Sequence, residues 1–179
     1  ADQLELLQKL QALDTDLYRL RRARDETPRE LERSRERLGA EEAQLKTSEE
    51  RLKQLQLEQK DQDVELQTRE GNVKKLQGQL FQVKTNKAYT AMQHEIDTLK
   101  ADNSLREESI LRVFDKIDEA TRRRELEQDR VKKQQEAFRE EAARVEREIA
   151  EIEGRISALE RQREELTPSI PAAALSAYE

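Results

Sequence analysis

Counting every seventh residue from Gln3 picks out Leu10, Leu17, Arg24, Leu31, Leu38, Leu45, Leu52, Gln59, Leu66, Val73 and Leu80, so nine of twelve positions are apolar. At 34% hydrophobic residues overall, chance would supply about four. Leu6, Leu13, Leu20, Leu55, Leu76 and Val83 add the companion row of a coiled-coil seam at both ends of this stretch, whereas Thr27, Ser34, Glu41, Ser48, Gln62 and Arg69 leave its middle polar. A second row runs from Tyr89 through Ile96, Asn103, Ile110, Ile117, Arg124, Val131, Phe138, Val145, Ile152, Leu159 and Leu166, ten of twelve apolar. The step from Leu80 to Tyr89 is nine residues instead of seven, and this single break in phase invites a turn.

Folding the chain symmetrically about the break sets Leu80 against Tyr89, Leu52 against Ile117 and Leu17 against Ile152, each pair of numbers totalling 169. The pattern predicts an all-α protein, a long antiparallel coiled-coil helical hairpin over residues 1–167, with arm one over 2–84, arm two over 86–167 and the turn near 84–86. Thr85 or Asn86 is suited to cap the second arm. Each arm, at 1.5 Å per residue, would span about 125 Å. Thr27-Pro28-Arg29-Glu30 has the order of a helix start: a capping residue, a proline at the first helical position and a glutamate three after the cap. It predicts a kink near Pro28 after a short first helix over 2–25, opposite the small residues Ala142 and Ala143. Beyond Leu166, Pro168 and Pro171 stop the periodicity, and 168–179 reads as a linker.

Composition narrows the chemistry. The chain of 179 residues is 41% charged and has three Phe, three Tyr and no Trp, too few bulky side chains for a globular core. Its charges are mixed, 34 basic against 40 acidic, and its apolar residues are periodic, which separates it from a disordered chain. The net charge of −6 excludes a surface that is basic throughout, though not local basic clusters. No apolar run approaches a membrane span and no secretory leader is legible, so the expected location is cytoplasmic, with no membrane partner. With no cysteine, the chain contains no disulfide, no thiolate nucleophile and no cysteine zinc site.

Few residues suggest catalysis. His94 stands beside Glu95 and one turn from Asp97, but two ligands make a weak metal site. The many carboxylates lie on helices with no pocket to perturb them, so no catalytic residue and no metal ligand is assigned within this chain. Arg24, Arg124 and Asn103 fall in the apolar rows, where they are expected to fix register. Arg19, Arg21, Arg22, Arg24, Arg122 and Arg123 form a candidate basic patch for RNA or an acidic protein, weighed against the plainer role of a solvated helix face. The apex gathers Lys84, Thr85, Asn86, Lys87 and Tyr89 where a partner can reach them, and these are the candidate interaction residues.

The opening Leu4-Glu5-Leu6-Leu7-Gln8-Lys9-Leu10-Gln11-Ala12-Leu13-Asp14, the apex Val83-Lys84-Thr85-Asn86-Lys87-Ala88-Tyr89, and the tail Ile170-Pro171 followed by Leu175 and Tyr178-Glu179 together resemble the bacterial C4-type zinc-ribbon family. Members of that family join a coiled-coil hairpin to a C-terminal four-cysteine zinc ribbon. Ala88 stands where an acidic residue is expected, and the cysteines of the ribbon are absent from this chain. The resemblance implies a cytoplasmic adaptor or regulator linked to flagellar and type III secretion systems, to the alternative sigma factor 54 or to RNA. It also implies zinc in a ribbon following Glu179.

These readings lead to a non-enzymatic adaptor that binds protein partners, as a monomer or weak dimer and with no cofactor in this chain. The alternatives are a nucleic-acid-binding protein acting with the ribbon and a structural spacer.

Overall fold

The computed structural model describes residues 2–179. Helix α1 spans Gln3–Leu80 and helix α2 spans Asn86–Leu166; a 3-10 turn over Thr167–Ser169 and a short helix α3 over Ala172–Tyr178 follow. Strong helix formers (Leu, Glu, Gln, Arg, Lys, Ala) fill both long helices, and their apolar rows turn inward. The fold is the antiparallel helical hairpin that the two rows predict. No helix among the described residues is long and apolar enough to cross a membrane.

Packing divides the chain into two units, one made of the residues up to Ala40 with Lys132–Glu179, the other of Glu41–Val131. In the first unit, which holds the chain ends, Leu10, Leu17, Val145, Ile156 and Ile170 are buried. Ser34 donates its hydroxyl hydrogen to Glu141 across the helix pair at 3.1 Å. In the second unit, which holds the turn, Leu52, Leu55, Val73, Ile96, Ile110, Val113 and Val131 form the core, with Asn103 as its buried polar member. Here Ser48 donates to Glu127 at 2.5 Å.

These two serine–glutamate pairs set the register in the middle of the helices. In each the residue numbers total 175, not 169. At these two points the helices meet about six residues beyond the symmetric expectation, so Leu52 lies level with the stretch around Arg124 and not with Ile117. Nearer the turn the Arg69–Asp102 and Glu65–Arg106 pairs total 171, and at the chain ends Arg21–Glu160 totals 181, so the offset is smallest at the turn. Burial agrees, since Ile96 is 1% exposed and Tyr89 is 48% exposed. A shift of one heptad preserves every inward position, so periodicity alone does not distinguish the two registers.

The helix start expected at Thr27 does not occur. Helix α1 runs unbroken through Pro28, and no separate helix ends near residue 25. Thr27, instead of capping, turns its hydroxyl back to the Ala23 carbonyl at 2.6 Å, the in-helix habit of threonine. Pro28 lies inside the helix and lacks the N–H that would reach the Arg24 carbonyl, so α1 passes through it with one backbone hydrogen bond missing. The observed register also places Ser34, and not Pro28, against the Glu141–Ala142 stretch.

In α2 the second inward row follows Met92, Leu99, Arg106, Val113, Ala120, Glu127, Gln134 and Glu141, then continues one residue later as Ile149, Ile156 and Arg163. A helix of 3.6 residues per turn drifts by about 20° per heptad against a seven-residue repeat, so in a row this long the inward position passes to a neighbour.

Candidate functional site at the turn of the hairpin

The turn is built from its two helix ends. Past Leu80, the Gln82 and Val83 amides donate to the carbonyls of Gln79 and Leu80 at 2.9 and 3.4 Å, tightening the last turn of α1. Thr85 caps α2: its side-chain oxygen accepts the Ala88 N–H at 3.2 Å and its carbonyl accepts the Tyr89 N–H at 3.0 Å. The reversal thus occupies residues 81–85. Lys84, Thr85, Asn86, Lys87 and Tyr89 are all exposed, as is every residue from Lys84 to Ala91.

The structure adds one residue to this surface. Phe81, the first residue beyond α1, is 90% exposed. The sequence carried a signal for it: Phe81 directly follows Leu80 and so lies outside both inward rows. An aromatic ring left in water at a chain reversal has no role in the packing of the hairpin. Charge is one-sided here as well. Between Glu70 and Glu95 the chain holds Lys74, Lys75, Lys84 and Lys87 and no carboxylate, and α2 has no acidic residue in its first turn.

The arginines of the candidate basic patch have other attachments. Arg21 bridges to Glu160 at 2.9 Å, Arg22 to Glu26 at 2.9 Å and Arg24 to Asp25 at 3.3 Å, all in the unit of the chain ends. Arg19 is exposed beside a shallow groove that it lines with Asp16, Leu20, Arg155, Ala158 and Leu159. In the other unit Arg123 pairs with Glu127 at 3.2 Å and Arg122 is exposed. The seam residues keep their positions: Asn103 is buried and Arg124 half-buried, each with a polar atom that has no hydrogen-bond partner within the protein.

A second polar cluster closes the end where the chain termini meet. The Arg163 guanidinium donates to Asp14 at 2.7 Å and reaches Glu179 at 3.5 Å, while the Tyr178 hydroxyl donates to Asp14 at 2.8 Å. With Ile170 buried, residues 168–179 lie against α1 and α2 and are held there. Burial works to raise the Asp14 carboxyl, but hydrogen bonds from Arg163 and Tyr178 and the charges of Arg163 and Arg21 outweigh it, so the group lies below its ordinary value. Burial and the bond to Asp14 raise the Tyr178 hydroxyl. His94 is exposed, and among the described residues no three His, Cys, Asp or Glu side chains cluster to hold a metal ion.

The fold is similar to that of CT398 from Chlamydia trachomatis, with a TM-score of 0.87 and 19% identity over 99% of this chain and 75% of that one. It is also similar to the HP0958 protein from Helicobacter pylori CCUG 17874, with a TM-score of 0.68 and 17% identity over 97% of this chain and 73% of the other. At such identities the likeness concerns the fold alone. No curated protein matches the chain. The family of CT398-like coiled-coil hairpin domains matches it over residues 10–179, nearly its whole length, and the chain belongs to that family.

Proposed function

We propose that this chain is a non-enzymatic adaptor or regulatory protein that binds a protein partner through the turn end of its hairpin. The observation that carries the reading is Phe81, 90% exposed in the same reversal that carries the exposed Lys84, Lys87 and Tyr89, a stretch that the hairpin core leaves in solvent. In a small docking patch, exposed rings supply apolar contact and charges at the rim orient the partner. The resemblance of the sequence to zinc-ribbon proteins supports a cytoplasmic setting for such an adaptor, in flagellar or type III secretion or in regulation linked to sigma factor 54, with zinc in a ribbon outside this chain.

A nucleic-acid role has less support from the arginines, since Arg21, Arg22, Arg24 and Arg123 already share their charge with carboxylates. The test is affinity capture from the native host with wild-type protein and with a Phe81→Ala, Tyr89→Ala variant, compared by quantitative mass spectrometry. Loss of one or a few proteins with the variant supports the adaptor; an unchanged set sinks it.

A further inference from the structure

The turn end differs from the rest of the molecule in its charge. Residues 71–94 hold four lysines, one histidine and no carboxylate, a charge of +4 within a chain of −6, so that everything outside this stretch carries −10. In a chain with 40 acidic residues, a run of 24 without one is a marked local depletion. Among the described residues neither Lys84 nor Lys87 is in an ion pair, and both are exposed. The nearest carboxylates in sequence are Glu95 and Asp97, and the second accepts a hydrogen bond from Gln93 at 3.3 Å. The free N–H groups at the start of α2 add a partial charge of the same sign as the lysines.

Resting on the reading of this end as the protein-binding one, we infer that the partner presents a short acidic segment bearing an aromatic or aliphatic side chain. Its carboxylates meet Lys84 and Lys87, and its apolar group covers Phe81 and Tyr89. Charge complementarity selects this occupant. Two lysines without intramolecular partners next to a bare phenyl ring match a ligand that is both anionic and apolar. Length excludes a long polyanion such as RNA: beyond the turn the chain becomes strongly acidic, and a strand that continues past the lysines meets repulsion within about one Debye length of 8–10 Å. A short peptide ends before that. A patch this small should bind weakly, with rapid exchange and marked dependence on salt.

The test is titration of the isotope-labelled full chain, followed by amide resonances, with a short synthetic peptide of Asp, Glu, Leu and Phe. The same peptide with lysines for its acids, oligouridylate, and vesicles of phosphatidylcholine with phosphatidylserine are titrated in parallel. The acidic peptide should shift residues 81–89 selectively and bind less tightly as salt is raised. Its affinity should fall by about tenfold or more in the Lys84→Glu, Lys87→Glu variant and by about fivefold in Phe81→Ala. No shift at the turn, equal binding of the lysine peptide, or tighter binding of oligouridylate or vesicles to the same residues would overturn the inference. Circular dichroism of each variant checks that the helices remain. If Phe81→Ala, Tyr89→Ala loses a captured protein while the acidic peptide fails to bind, the acidic partner is refuted and the adaptor survives. If capture is unchanged by that variant, the adaptor itself falls.

Discussion

Asp14 and Lys84 are both charged side chains at an end of the helical pair, yet their surroundings differ. Asp14 accepts hydrogen bonds from Arg163 and Tyr178, and the unit around it buries Leu10 and Leu17 to 0% and 2% exposure. Lys84 stands with Lys87 in open solvent near a phenylalanine that nothing covers. At the chain ends, polar and apolar groups are used up by the fold. At the turn they are left over, and surplus recognition chemistry held on a rigid support is the usual form of a binding surface.

The largest effect concerns register, on which the exposure of Tyr89 depends. The chain has no cysteine, so paired substitutions report cleanly. Oxidation should cross-link Ser48→Cys with Glu127→Cys and leave Ser48→Cys with Thr121→Cys, the symmetric pair, open, read as mobility on a non-reducing gel. The reverse result would return Tyr89 to the seam and remove a main component of the turn surface.

Stability gives the next contrast. Leu17→Ala empties a fully packed seam position and should cost about 3 kcal/mol in urea unfolding. Phe81→Ala should change stability by no more than about 0.5 kcal/mol, because its ring touches mostly water. Similar losses at the two positions would mean that Phe81 belongs to the core and would end the comparison. Ile170→Ala falls between them, at about 2 kcal/mol if the tail is docked as the burial of Ile170 indicates. A negligible cost would show that the tail detaches in solution.

Much of this was legible in the amino-acid pattern, and what was not has distinct physical causes. Two seven-residue rows and one break in phase were enough for helix type, antiparallel pairing and a cap at Thr85 or Asn86, of which Thr85 is the one used. Register was not legible, since a slide of one heptad leaves the same faces together and only specific pairs such as Ser48 with Glu127 choose between the alternatives. The inward role of Val113 and Ile156 was missed because the second row of α2 changes its spacing partway along. Thr27-Pro28 misled in another way: the motif is a good local start signal, but the long helix retains the packing on either side of the defect. The cluster of Asp14 with Tyr178 joins residues 164 apart, a distance no local pattern spans. In the candidate site the lysines, Thr85, Asn86 and Tyr89 could be named from their place at the phase break, whereas Phe81 stood out only once its surroundings were empty.

The smallest effect is the most specific, because it separates charge from packing at the chain ends. The Asp14 carboxyl lies below its ordinary value of 3.8 in the folded chain: burial opposes the charge, and Arg163, Tyr178 and Arg21 more than offset that opposition. A group lowered by folding stabilises the fold fully above its unfolded value and loses that contribution as pH falls through the folded one. Tyr178 is raised, first by burial and then by its bond to Asp14, so its contribution is full below its ordinary value of 10.0 and is lost as pH rises through the folded value. The Asp14 and Arg163 side chains are 28% and 30% exposed, and solvent screening limits the network to about 1 kcal/mol. Asp14→Asn should therefore be about 1 kcal/mol less stable than wild type at neutral pH. The gap should narrow steadily as the solution is acidified below the ordinary carboxylate range. A gap that persists unchanged in acid would trace the loss to packing of the asparagine and leave the charge of Asp14 without a role in holding the tail. The same acidification should leave a Lys84→Gln variant and wild type level with each other throughout, since that lysine has no partner in the fold to lose.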